Sequence, residues 1–144
     1  MLPIDPTKLT GEDIGEHRAT LEMAHDPAVE HVRSVFTDAG FGIPVEFSPS
    51  DLLNEKVDAD RDPYYVLGAC NPAVADRAMD VTPDIGGLFP CNVIVRERDP
   101  GIQEVYHVSI MRIARIVGIA PDTEAWASIV EETGALVDDA YAAL

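Results

Sequence analysis

Apolar and polar positions change period several times along the chain, and each change marks an element. "RATLEMA" (18–24) alternates and reads as a first strand. Asp26-Pro27 then opens a helix, with a side-chain acceptor followed by a proline that needs no donor at the first helical position. Val29, Val32, Val35, Phe36 and Ala39 recur at helical spacing, and Gly40 and Gly42 close that stripe. "FGIPVEF" (41–47) is a short second strand in which Pro44 indicates an edge or irregular position. Ser48-Pro49-Ser50-Asp51 starts a helical turn through Leu52 and Leu53, and "KVDADRDP" (56–63) is a polar loop.

"YYVLGA" (64–69) is a third strand, after which Asn71-Pro72 opens the helix "PAVADRAMD". Thr82-Pro83 and Gly86-Gly87 form an irregular link to a fourth strand, "CNVIVRE" (91–97). At Asp99-Pro100-Gly101 the proline presets φ and the glycine supplies freedom, giving a turn into "QEVYHVSI" and hence a hairpin. Alternation there sends Tyr106, Val108 and Ile110 to the core, and His107 and Ser109 to the other face. "MRIARIVGI" (111–119) is a short helix stopped at Gly118. Beyond Pro121 an acidic first turn leads a long helix with Trp126, Ile129, Val130, Thr133, Leu136, Val137, Ala140, Tyr141 and Leu144 on one side. Strands with short connections and one-faced helices make an α+β, two-layer sandwich, a mostly antiparallel sheet with helices on one face. Residues 1–17 read as a loose acidic arm, and 18–144 as a single domain.

Composition narrows the setting. The 144 residues are 47% hydrophobic and 25% charged, enough for one real core. The longest uncharged run, "IGGLFPCNVIV" (85–95), is too short to cross a bilayer and is broken by glycine and proline. The N-terminus has neither a basic start nor an apolar core, so a cytoplasmic location is expected. Twenty-six acidic residues against ten basic ones give a net charge of −16, with Lys8 and Lys56 the two lysines. Such a chain repels phosphate backbones and anionic lipid, which excludes nucleic acid and membrane as expected partners. The lysine-poor acidity fits a salt-rich, halophilic cytoplasm in which counterions screen the self-repulsion.

The candidate chemistry lies in two cysteine segments. Two cysteines are too few for a disulfide scaffold and lack C-x-x-C spacing. Cys70 precedes a helix N-terminus, where free N–H groups favour a thiolate. Cys91 begins a strand, and one helix with a return loop brings both thiols to the same sheet edge. Cys70, Asn71, Cys91 and Asn92 then form a ligand site for a soft metal ion held by Cys70 and Cys91, or for a small polar or thiol-reactive molecule, with His107 a further ligand-binding candidate. Against this stands plain packing: free cysteine is among the most buried residue types, and Asn71 is explained as a helix cap. His17, His25 and His31 lack zinc spacing, and no nucleophile elbow, phosphate loop or dinucleotide fingerprint occurs, which argues against an enzyme. No cofactor is expected. Arg96, Arg98, Arg112 and Arg115 are expected to pair with the chain's own acids.

Gly68-Ala69-Cys70-Asn71-Pro72, the helix Ala75 to Met79, and Ile85-Gly86 through Pro90-Cys91-Asn92 together resemble the DUF302 family of uncharacterised proteins, as does "FTDAGFGIPVEF" upstream. The resemblance spans residues 18–144. It implies a TATA-binding-protein-like two-layer fold and homodimers, and no settled activity. The chain departs from the family in its acidic arm and in "SIMRIARI", which replaces a polar turn after the last hairpin. Three readings stay open: a small binding or sensing module with its ligand at the Cys-Asn segments, a thiol-dependent redox or soft-metal protein, and a structural or assembly partner.

Overall fold

A computed structural model describes residues 5–144. Five strands, β1 (His17–Glu22), β2 (Gly42–Phe47), β3 (Tyr64–Cys70), β4 (Cys91–Asp99) and β5 (Ile102–His107), form one sheet in the order β1-β5-β4-β3-β2 with every pair antiparallel. Five α-helices interleave them: α1 (His25–Asp38), α2 (Pro49–Lys56), α3 (Pro72–Val81), α4 (Ile110–Ile116) and α5 (Glu124–Ala142). The α+β sandwich read from the sequence is therefore the fold.

Local chemistry sets the helix starts. Ser48, Asn71, Ser109 and Thr123 each accept a hydrogen bond from the backbone N–H three residues on, which meets one of the donors every helix N-terminus leaves open. The stripe on α1 buries Ala28, Val29, Val32 and Phe36 against Leu67, Ala69, Val93, Val95 and Val105 of the sheet and Val137 and Ala140 of α5. A second cluster joins Val74 and Ala78 of α3, Met111 and Ala114 of α4, and Trp126, Ile129 and Val130 of α5 around Cys91.

The opposite sheet face is uncovered. Val45 and Phe47 are more than half exposed there, in register with Gly68 and Val66. Beside them the charges offset one another: Arg18 and Arg96 both pair with Glu104, Arg18 also meets Glu16, and Arg18 stacks over the Tyr106 ring.

Two features differ from the sequence reading. The phase of β5 is reversed: Gln103, Val105 and His107 are buried and face the helices, while Tyr106 lies on the uncovered face. Pairing of Val93 with His107 and Val95 with Val105 fixes that phase, and hydrogen bonds make the two buried polar residues tolerable. The arm is not loose over its described part; Met1–Ile4 lie outside the described residues. Asp5 caps a short 3-10 turn, Glu16 N–H donates to the Gly11 carbonyl, and Ser109 N–H donates to the Ile14 carbonyl at 2.8 Å.

Gly68 shows how tightly β2 lies on β3. A Cβ there would meet Val45 Cγ2 at 2.6 Å, Pro90 Cγ at 2.7 Å and the Val45 carbonyl oxygen at 2.9 Å. Gly68→Ala is expected to cost about 1–3 kcal/mol as overpacking, read from the urea midpoint. An unchanged midpoint would mean that β2 yields without cost.

Candidate functional site

β3 ends at Cys70 and β4 begins at Cys91, and the register sets Ala69 opposite Cys91. The two cysteines are thus diagonal neighbours across one strand pair. Both line a cavity of about 200 Å³ at this rim of the sheet, walled almost wholly by apolar atoms. Phe41 and Pro44 form its lip on the β2 side, Val74 and Ala75 of α3 one wall, and Met111 and Thr133 the wall given by α4 and α5. Phe89 and Pro90, joined by a cis peptide bond, complete it beside Cys91.

Asn71 holds the rim together. Its Oδ1 accepts from Val74 N–H at 3.1 Å and its Nδ2 donates to the Gly40 carbonyl at 3.1 Å. Gly40 adopts φ +106°, a conformation that favours glycine, so the turn after α1 is locked to the start of α3. Segments far apart in sequence, around Gly40, Cys70 and Cys91, therefore meet at one cavity.

The thiols differ in setting. Cys91 is buried, and burial first, then the neighbouring Cys70, pushes its pKa up to about 12, so it stays a neutral thiol at physiological pH. Cys70 is half-buried. The helix end beside it has little left to offer a thiolate, because Asn71 already takes Val74 N–H and Pro72 has no N–H to give. Among the described residues no group of three or more His, Cys, Asp or Glu is placed to hold a metal ion.

Not every candidate meets the cavity. Asn92 is exposed and lies outside its lining, though its carbonyl accepts from His107 Nδ1 at 2.8 Å. His107 lines a neighbouring, polar cavity of about 340 Å³ with His17, Ser109, Arg112 and Asp138. There His17 Nε2 lies 2.7 Å from Asp138 Oδ1, and the two imidazole rings are 6.1 Å apart. Burial drives the His107 pKa down to about 4. Arg96 and Arg98 find carboxylates, as their neighbourhood predicted, whereas Arg112 makes no ion pair among the described residues.

Sequence reading missed the role of Thr133. It falls within the apolar stripe of α5 and is 4% exposed, and its Oγ1 has no hydrogen-bond partner among the described residues. It lines both cavities. The signal was a lone hydroxyl among Ile129, Val130, Leu136 and Val137.

No curated protein matches the chain in sequence. Among solved structures, an uncharacterized conserved DUF302 protein from Bacillus stearothermophilus has the same fold, with a TM-score of 0.77 at 18% identity over 90% of this chain and 98% of that one. The sequence model described as Domain of unknown function DUF302 matches residues 17–144, so the apolar cavity, its two cysteines, His17 and His107 lie within that span, while Glu12, Gly15 and Glu16 of the histidine cavity precede it. The chain belongs to the DUF302 family.

Proposed function

We propose that the protein is a non-catalytic binding or sensing module whose ligand, a small and largely apolar molecule, occupies the cavity lined by Cys70 and Cys91. One observation carries this reading: a buried hydroxyl, Thr133 Oγ1, stands without a partner at the edge of an apolar space of about 200 Å³. A buried polar group left unpaired costs about 1–3 kcal/mol, and a bound polar atom removes that cost. An apolar cavity of about 150 Å³ already holds benzene, so this one takes a single ring or a chain of similar bulk. The Cys-Asn segments contribute shape and softness here, since Asn71 is spent on its cap and Cys91 is held as a thiol.

Benzene titration tests the reading. Benzene is expected to raise the unfolding midpoint and to shift NMR signals of Cys70, Cys91 and Thr133. Ala75→Phe, which fills the cavity from α3, is expected to abolish both responses. Absence of any response in the unaltered protein would end the proposal.

The thiol-dependent alternative has its own measurement. Iodoacetamide at pH 8 is expected to modify Cys70 in the native protein and Cys91 only after unfolding, because a buried neutral thiol is a poor nucleophile. Rapid native alkylation of Cys91 would put redox or soft-metal handling ahead of the binding module.

A further inference from the structure

Thr133 lines two neighbouring spaces of different character. On one side is the apolar cavity under the thiols, and on the other the polar one that holds His107. Most polar groups of the second cavity are already engaged. Asp138 meets His17, Glu16 accepts from Tyr106 Oη and from Arg18, and Ser109 Oγ caps α4. Besides the half-buried Arg112 and the exposed Glu12, two buried groups are not. Among the described residues Thr133 Oγ1 has no partner, and His107 uses only one of its nitrogens. Because Nδ1 donates to the Asn92 carbonyl, the proton sits there, and Nε2 keeps a lone pair that no hydrogen bond among the described residues uses. Burial keeps the ring neutral at pH 7, so this nitrogen accepts and does not donate.

One ligand group answers both: a hydroxyl, which accepts from Thr133 and donates to His107 Nε2. We propose that the two cavities form a single two-part site, joined at Thr133, for a small neutral alcohol or phenol. Its ring or chain lies beside the thiols, and its hydroxyl enters the histidine compartment. The proposal rests on the apolar-ligand reading and adds the class of molecule. Charge selects against the alternatives. Glu12, Glu16 and Asp138 face the polar cavity against the one guanidinium of Arg112, in a molecule of net charge −16, so a carboxylate head is disfavoured. An ammonium head has no lone pair to accept from Thr133.

Calorimetric titration with phenol, benzene and benzoate separates the claims. Phenol is expected to bind about tenfold tighter than benzene, the value of roughly one buried hydrogen bond, and benzoate more weakly than phenol. Thr133→Val keeps the shape and is expected to narrow the gap between phenol and benzene, because the hydroxyl then keeps only its bond to His107 Nε2. Independently of any variant, phenol is expected to move the ¹⁵N resonance of His107 Nε2 in the unaltered protein, and benzene is not. Equal binding of phenol and benzene with a still Nε2 resonance would overturn this proposal and leave the apolar-ligand reading standing. Binding by neither would overturn both, and tighter benzoate than phenol would overturn the neutral head group.

Discussion

Trp126→Ala is expected to lower the stability of the fold by about 3–5 kcal/mol, a large part of the roughly 5–15 kcal/mol that holds a domain together. The indole is wholly buried, and it packs with Met111, Ala114, Ile129 and Cys91 in the cluster that ties α3, α4 and α5 to the rim of the sheet. Its Nε1–H donates to the Met111 carbonyl at 2.8 Å, so the substitution opens a cavity and removes a buried hydrogen bond together. Trp126→Phe keeps most of the packing and loses the donor, and a loss of about 1–3 kcal/mol is expected for it. Circular dichroism against urea is the suitable readout, because Trp126 is the sole tryptophan and fluorescence disappears with it. A loss below about 1 kcal/mol for Trp126→Ala would show that α5 docks without this anchor. Met111 also lines the cavity beside the thiols, so that cavity is expected to loosen with the fold.

Acid is expected to remove about 3 kcal/mol through one residue, His107. In the unfolded chain its ring takes a proton near its ordinary value of 6.5, whereas in the native protein burial delays protonation to about 4. Between those values the unfolded state binds more protons, so stability falls as pH falls. The contribution is complete above 6.5 and gone below about 4. The titratable and charged groups that share its cavity are the His17 ring, Glu12, Glu16, Asp138 from α5 and Arg112 from α4. Carboxylates do not mimic this window. Tyr106 Oη holds Glu16 below the usual range and Arg33 does the same for Glu46, so their contributions fade only in stronger acid. Denaturation midpoints at pH 7, 5.5 and 4.5 are expected to decline, and His107→Gln is expected to flatten the decline. A flat profile in the unaltered protein would mean that the ring is hydrated in the native state. At the alkaline end, the raised Cys91 value works in the other direction: its contribution is present below about 9 and is lost as pH rises toward about 12.

Much of this architecture was legible in the residues, and the exceptions have physical causes. Asn71-Pro72, Ser48-Pro49 and the turn at Asp99-Pro100-Gly101 carry their structure locally, so they read directly. The phase of β5 did not, because apolar residues stand on both of its faces and the buried set includes Gln103 and His107. Long-range bonds justify that choice: Gln103 donates to the Met23 carbonyl and accepts from His25, residues far off in sequence, and also donates to Glu97 across the hairpin. The docking of the arm on Ser109 is equally non-local. For the site, the meeting of Cys70 and Cys91 followed from one helix and a return loop between adjacent strands. The distribution of the others did not follow. Asn92 points away because alternation places it opposite Gly68 on the uncovered face, and Thr133 gains its meaning only from the two spaces it divides.

The uncovered face of the sheet gives this acidic molecule an electrical asymmetry. Where Arg18 and Arg96 neutralise Glu104 and Glu16, the surplus negative charge must sit elsewhere, over the helical layer and the loops. An incoming macromolecule of like sign is turned aside from almost every direction and meets the weakest opposition along this one approach. Dilution of salt lengthens the range of that discrimination, and molar salt erases it.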